Sequence, residues 1–463
     1  MSARGFLFQT EQGNSYFYDD TTGAVRHADD EKSIKKLLNE SGDINNYPTI
    51  NTKPSKEEIK EHLENYGYKQ LILIITENCN LRCKYCVYSE NYTNTRVLRN
   101  VNMDFETAKK AIEKYFFSFF RVKSKNPVLI PTIGFYGGEP LLNFELIKKV
   151  VDYFTKTYDQ KIYFGLTTNA TLLNDEMINF FVKYNFGIAI SLNGHKEEHD
   201  RLRVYANGTG SFDRVMRNIK RIKKRYPEYF KLYCTILISY DTGTDLLKVR
   251  NFYIANEENL PKIGRITSIA TSFTNWYNQY SHQEKEGFKK SLDECKKIYF
   301  HQLKEGTTDP FLQSLIGSSY FLILNRAINV PLANIRPPYI PYTGACTPGD
   351  KITVDPKGNL HCCEKINDKF PIGNVKNWLD FNKIIAHIDR YNKDITPDCW
   401  KCPITRLCPL CYIQSGGNGR FEKSQLNCDN IISNIKTQFK EIWSLLEGGV
   451  PIRRIFQRDS EYF

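Results

Sequence analysis

With 463 residues, 41% of them hydrophobic and 13% aromatic, the chain has enough apolar surface for large cores, which excludes wholesale disorder and predicts two or three folded units. Its net charge of +12 invites a nucleic-acid reading, but the basic residues are interspersed with acidic ones on helical stretches such as 217–225 and read as a solvated helix face; as an anionic partner an acidic peptide fits as well as RNA. No run of about 18 apolar residues marks a membrane helix, the amino terminus builds no secretory signal, and the 13 cysteines of a cytoplasmic chain read as metal ligands or catalytic thiols.

Residues 1–66 read as a small β-rich unit, with GFLF and SYFYDD divided by EQGN, then TTG before another extended run and a polar helix over about 30–39. Across 67–305, strand-like runs alternate with amphipathic helices. Strands are expected at 71–76, 132–138, 161–169, 187–194, 231–240 and 262–270, and helices at 104–121, 144–158, 175–184, 211–225, 245–255 and 284–304. Six such units predict an incomplete parallel α/β barrel, a partial (β/α)6 form of the TIM architecture, with its chemistry at the carboxyl ends of the strands. Residues 306–345 show little periodicity, end in RPPYIPYTG and read as a connector. A cysteine-rich unit follows at 346–430, where short apolar runs and frequent turns suggest a core organised by metal. An amphipathic helix is expected over 430–446, within a closing helix and tail at 431–463.

TENCNLRCKYCVYSE places Cys79, Cys83 and Cys86 directly after a buried-looking strand. Three thiolates in one loop can hold three irons of a 4Fe–4S cluster and leave the fourth iron open. A zinc knuckle would want four ligands in paired short spacings, and no fourth cysteine is near. The GGEP turn, Gly137, Gly138, Glu139 and Pro140, ends the second strand; Asn169 in TTNAT ends the third, and Ser191 and Asn193 in SLNG end the fourth.

This set resembles the radical S-adenosylmethionine superfamily over most of the barrel. The resemblance implies that the methionine part of S-adenosylmethionine chelates the open iron and that electron transfer then yields a 5′-deoxyadenosyl radical. It assigns Tyr85 to the adenine and the GGEP turn to the methionine amino group, through a backbone carbonyl or Glu139. Asn169, Ser191 and Asn193 fall to the ribose and carboxylate. Asn193 replaces the family's usual aspartate and offers one oxygen acceptor instead of two. HDRLRVYANGTGSF is similar to a segment of peptide-modifying members in which an arginine approaches the cofactor, which makes Arg203 the candidate.

Farther on come Cys346, the adjacent Cys362 and Cys363 in GNLHCC, the run Cys399, Cys402, Cys408 and Cys411, and then Cys428. Two zinc sites are one reading of so many thiols. The pattern also resembles the SPASM extension attached to this barrel family, with Gly358 and Cys363 as its glycine-spaced element and Cys411 one residue closer than the pattern has it. That resemblance implies an outer auxiliary 4Fe–4S cluster on Cys399, Cys402, Cys408 and Cys428. An inner one would take Cys346, Cys363 and Cys411, and either Cys362 completes it or one iron stays open for a substrate thiolate. With the loop cluster this makes three. Cys234 and Cys295 stand outside both patterns and read as buried structural thiols.

Such an extension on this barrel resembles maturases of ribosomally synthesised precursor peptides, with the amino-terminal unit holding the leader by strand addition and a flavodoxin- or ferredoxin-type electron donor. The expected reaction is hydrogen abstraction from a peptide carbon and thioether formation with a cysteine sulfur. Carbon–carbon crosslinking and formylglycine-type oxidation of Cys or Ser, as in sulfatase maturation, are alternatives. The last uses an acidic residue after the glycine-spaced cysteine, where Glu364 stands as an acid/base group or a surface carboxylate. RNA modification and simple electron carriage compete as classes, although a carrier has no use for GGEP, TTN and SLNG.

Overall fold

The computed structural model describes residues 4–28, 32, 35–36, 53–92, 96–327, 337, 339–340 and 344–455, and the chain divides into two compact units. Most of the helix expected over 30–39 and part of the expected connector lie outside the described residues. Among those described, no helix is long and apolar enough to cross a membrane.

One unit joins Met1–Pro54, Cys295–Cys346 and Ala386–Phe463. Its two amino-terminal aromatic runs form β1 (Gly5–Gln9) and β2 (Ser15–Asp19), paired antiparallel with Phe6 opposite Tyr18, and β3 (Val25–His27) adds to β2. Alternation along the strand puts Phe6 and Phe8 on one face. There they pack with Tyr18 on the helix Gln425–Glu447, the Phe6 and Tyr18 rings lying 5.2 and 4.8 Å from that of Phe439. So small a sheet is marginal alone, and this aromatic burial anchors it.

The stretch expected to be a connector contains helix instead. Asp309 caps its start by accepting from the Leu312 N–H at 2.8 Å, and Pro310–Leu312 runs through a π-turn, Gln313–Gly317, into Ser318–Ala327. Phe311, Leu312, Ile316, Tyr320, Ile323 and Leu324 are all buried. Leu312, Ile316, Tyr320 and Leu324 recur every four residues as one buried helical stripe, but Phe321 and the exposed Leu322, apolar residues off that stripe, blur it in the sequence.

The other unit joins Ser55–Glu294 and Thr347–Ile385. Its sheet has ten strands, six of them the expected parallel set in sequence order: β4 (Gln70–Thr76), β5 (Thr132–Gly137), β6 (Tyr163–Thr168), β7 (Gly187–Ser191), β8 (Cys234–Tyr240) and β9 (Lys262–Ser268). On the other side of β4, β10 (Lys351–Val354) pairs parallel to it, and β11 (Asn359–His361), β12 (Gly373–Asn374) and β13 (Trp378–Leu379) follow antiparallel. All of β4 after Gln70 is buried, as expected of a strand covered on both faces. The strands β5 to β7 alternate buried with half-buried residues. Phe135, Phe164 and Phe186 stack along the buried face, Phe164 and Phe186 at 5.2 Å, and meet Phe154 and Phe181 of the covering helices. Asp104, Asn174 and Asp245 start helices by accepting from N–H groups three residues on. The strand expected from 231 begins only at Cys234, because Pro227 opens a short helix, Pro227–Tyr233, that buries Tyr229 and Phe230. Cys234 and Cys295 are both buried.

Candidate active site

The cysteine loop leaves the carboxyl end of β4 and folds on its own polar groups. Asn78 Oδ1 accepts from the Cys79 N–H at 2.8 Å, the Leu81 N–H donates to Cys79 Sγ at 3.4 Å and the Cys86 N–H to the Cys83 carbonyl at 3.0 Å. Arg82 and Lys84 N–H groups donate to the carbonyls of Val204 and Leu202, which joins the loop to the segment carrying Arg203. All three thiols are half-buried. Burial, reinforced by Glu139, pushes Cys79 up to about 12, and burial with Cys83 pushes Cys86 up to about 11.

The two glycines of GGEP are required by the loop's own backbone. A Cβ on Gly137 would stand 2.2 Å from the Thr76 carbonyl oxygen, and one on Gly138 2.2 Å from that of Asn78. Through this approach the Gly138 and Glu139 N–H groups donate to those same carbonyls, at 3.0 and 2.8 Å. The Glu139 carboxylate is buried and faces the protein: it accepts from the Thr168 hydroxyl at 2.7 Å, the Asn169 N–H at 2.7 Å and the Leu141 N–H at 3.1 Å. It therefore braces the ends of β5 and β6. Asn169 continues the brace, donating to Asn80 Oδ1 at 2.9 Å and facing Cys79 Sγ at 3.9 Å. Next to it Ala170 sits at φ +60, a left-handed conformation that costs a non-glycine residue about 1 kcal/mol.

At the end of β7, Ser191 is half-buried and Asn193 buried. The single Asn193 side-chain oxygen accepts from the Ser239 N–H at 3.1 Å, and its amide faces the Tyr85 hydroxyl at 3.5 Å. Arg203 donates through Nη1 to the same hydroxyl, while its Nε is buried without a hydrogen-bond partner among the described residues. Burial opposes the Arg203 charge, but Cys83 and Tyr85 outweigh it and hold the guanidinium above its ordinary range.

Two residues that sequence reasoning passed over hold this geometry. His199 Nδ1 accepts from the Asn193 N–H at 3.3 Å, which assigns its proton to Nε2, 3.0 Å from Ser211 Oγ; that hydroxyl donates to the Arg203 carbonyl at 2.9 Å. Burial keeps the imidazole neutral, well below its usual range. The signal lay in HDRLRVYANGTGSF, where His199 and Ser211 flank Arg203. The same segment forms an unexpected helix, Lys196–Leu202, whose Arg201 binds Glu198 and the buried Asp241 at the end of β8, each at 2.7 Å. Asp241 also accepts from Trp276 Nε1 at 3.0 Å and from the Tyr280 hydroxyl. Trp276 and Tyr280 belong to an apolar cluster with Tyr92, Leu202 and Ile269, against which Tyr85 packs.

Glu364 is no surface carboxylate. It is paired with Lys351 Nζ at 2.7 Å, Cys363 Sγ lies 3.5 Å away, and its carbonyl accepts from the Tyr88 hydroxyl at 3.1 Å. Burial would push its carboxyl up, but Lys351 overrides this and holds it below the usual range. Cys362 is buried and Cys363 half-buried, with burial pushing the latter to about 11. The inner set of expected ligands divides between the units, with Cys346 and Cys411 in one and Cys362 and Cys363 in the other. All four outer candidates, Cys399, Cys402, Cys408 and Cys428, lie in one unit. Burial raises each of them, Cys399 to about 11 and Cys408 to about 12, and each of those two is raised further by the others' charge.

Both donor sets fit iron–sulfur clusters: grouped thiols near enough to raise one another, which bound metal would hold as thiolates. An unpartnered buried donor on Arg203 beside the first set suits a polar ligand there. No three His, Cys, Asp or Glu side chains among the described residues group tightly enough for a single metal ion. A cluster distributes its thiolates over different irons.

Residues 73–252 match the model of the radical SAM superfamily. A cysteine-type anaerobic sulfatase-maturating enzyme of Clostridium novyi is 32% identical over 186 residues, 40% of this chain and 47% of that enzyme. The chain spans about half the length of the first curated relatives it matches. The radical SAM cyclopropyl synthase TigE of Paramaledivibacter caminithermalis is 26% identical over 409 residues, 85% of this chain and 75% of that protein. The solved structure of native anSMEcpe with bound AdoMet shares the fold with a TM-score of 0.58 at 20% identity, covering 82% of this chain and 98% of that one.

Proposed function

Because the chain belongs to the radical SAM superfamily, we propose that it is a SPASM-type maturase that installs a thioether crosslink, cysteine sulfur to carbon, in a ribosomally synthesised precursor peptide. The observation that carries this reading is the pairing of a three-thiol loop at the strand ends with a separate group of four half-buried thiols. When bound, the clusters and S-adenosylmethionine supply a 5′-deoxyadenosyl radical that removes hydrogen from a peptide carbon, and an acceptor for the electron released as sulfur bonds to that carbon.

In this reading Cys79, Cys83 and Cys86 hold the first cluster, and Tyr85 lies against the adenine. Arg203, whose Nε has no hydrogen-bond partner among the described residues, would hold the cofactor there, and Ser191, Asn193 and Asn169 would hold its ribose and carboxylate. The amino group falls to a carbonyl of the GGEP turn, since Glu139 is engaged by three donors of its own protein. Cys399, Cys402, Cys408 and Cys428 hold the outer auxiliary cluster. Cys346, Cys363 and Cys411 hold the inner one, with an iron open to the substrate thiolate unless Cys362 closes it. Glu364, paired with Lys351, accepts the thiol proton. The leader adds to the edge strand β3, and a flavodoxin- or ferredoxin-type partner supplies the starting electron.

Carbon–carbon bond formation is the second reading, favoured by the similarity to a cyclopropyl synthase over 85% of the chain. Anaerobic incubation with reductant, S-adenosylmethionine and a cysteine-containing precursor is expected to give a peptide lighter by a pair of hydrogens, whose cysteine no longer reacts with iodoacetamide. The same mass loss with a free thiol selects carbon–carbon linkage. An unaltered peptide, with the cofactor consumed, refutes the maturase reading.

A further inference from the structure

Asp20, in the turn after β2, is fully buried at 0% exposure. Burial pushes its carboxyl up to about 6, against the Arg406 N–H, the Tyr18 hydroxyl and the charges of Arg4 and Arg406, which all favour the carboxylate. It accepts from the Arg406 N–H, at 3.0 Å to Oδ1 and 3.3 Å to Oδ2, and from the Tyr18 hydroxyl at 3.0 Å. Arg406 reaches back, donating from Nε to the Asp20 carbonyl at 3.1 Å and from Nη2 to that of Thr21 at 2.6 Å. The adjacent Thr405 donates its hydroxyl to the carbonyls of Cys399 and Cys402, and the Cys408 N–H donates to the Thr405 carbonyl at 3.3 Å. Two consecutive residues thus join the amino-terminal turn to the backbone of three of the outer cysteines. The fourth, Cys428, lies in the helix Gln425–Glu447, whose Phe439 and Trp443 carry the same sheet through Phe6, Phe8 and Tyr18.

We infer that Asp20 is a positioning residue for the outer thiol set, and that the amino-terminal sheet and the cysteine loop order each other. Arg406 lies in a three-residue 3-10 turn, Thr405–Leu407, which has little stability of its own. A buried side-chain oxygen that accepts from its N–H gives the turn a hold that it does not make for itself, and removing that oxygen strands the donor. The coupling is reciprocal: a group that orders the loop by binding its thiols also orders the sheet, and loss of the sheet weakens the hold on that group. The inference deepens the proposed function and rests on it only for what the four thiols hold.

Full-length wild type, Asp20→Leu and Asp20→Asn are reconstituted anaerobically with iron and sulfide and compared by iron content, peptide-free deoxyadenosine release and amide hydrogen exchange. The Leu variant is expected to hold about four fewer irons than wild type, to keep deoxyadenosine release, and to exchange amides at 402–408 on the order of tenfold faster. The Asn variant, which keeps an oxygen for the Arg406 N–H, restores both iron and exchange. Chelating the iron from wild type speeds exchange along Ser15–Asp19. Wild-type iron and exchange in the Leu variant, a loss that Asn does not restore, or β2 exchange indifferent to chelation each overturns the inference. A wild type with only about four irons whose Leu variant still loosens 402–408 overturns the auxiliary-cluster reading and leaves the latch standing.

Discussion

Enzyme with alanine at Cys79, Cys83 and Cys86 is expected to release no measurable 5′-deoxyadenosine while retaining about eight irons per chain. The loss of cofactor cleavage is at least roughly 10⁶-fold, because the remaining residues bind and orient but do not deliver an electron. The loop itself should persist, since Arg82 and Lys84 are held by backbone bonds to Val204 and Leu202 that involve no thiol. The outer four cysteines lie in the other unit, and the inner set uses none of the three replaced thiols, so both sets are expected to load without them. Iron assay and chromatography of the nucleoside decide the matter, and continued deoxyadenosine release in the triple variant contradicts the assignment of the loop.

Asp241→Ala should unfold the larger unit more easily by about 3–5 kcal/mol at neutral pH, the cost of stranding a buried charge partner. Its carboxylate, at 0% exposure, holds Arg201 at 2.7 Å and Trp276 at 3.0 Å, and the guanidinium left behind would keep only Glu198 among its charged partners. Burial pushes this carboxyl up, but Arg201 and Tyr280 outweigh it and hold it below the ordinary range. A depressed folded-state value contributes stability that is present above the unfolded carboxylate's range and lost as pH falls through the folded one. Urea denaturation should therefore show the gap between wild type and variant narrowing in acid. A gap that is small at neutral pH, or that widens in acid, refutes the assigned role.

Much of the site was legible because it is local. The spacing of Cys79, Cys83 and Cys86 and the positions of GGEP, TTN and SLNG after strands need only neighbouring residues to be read. What holds them is long-range. The glycine requirement at Gly138 comes from the carbonyl of Asn78, and Asp241 meets Arg201 across forty residues of chain. Glu364 could be read as a surface group because its hairpin follows β10, which returns from far along the chain to pair with β4 and brings Tyr88 against it. His199 and Ser211 stood inside a motif already singled out, but a buried imidazole relay has no periodicity to announce it. The helix over Ser318–Ala327 was blurred by Phe321 and the exposed Leu322, apolar residues that lie off its buried stripe.

Hydrogen transfer from a peptide to a radical made at the Cys79, Cys83 and Cys86 loop is the step on which the proposed function stands. It is tested most directly with a precursor peptide whose candidate acceptor residues carry deuterium on carbon, incubated anaerobically with reconstituted wild-type enzyme, reductant and unlabelled S-adenosylmethionine. Deuterium is expected in the 5′-deoxyadenosine, in proportion to crosslinked product. Deoxyadenosine that forms at the same rate with and without peptide, and carries no deuterium, would contradict it.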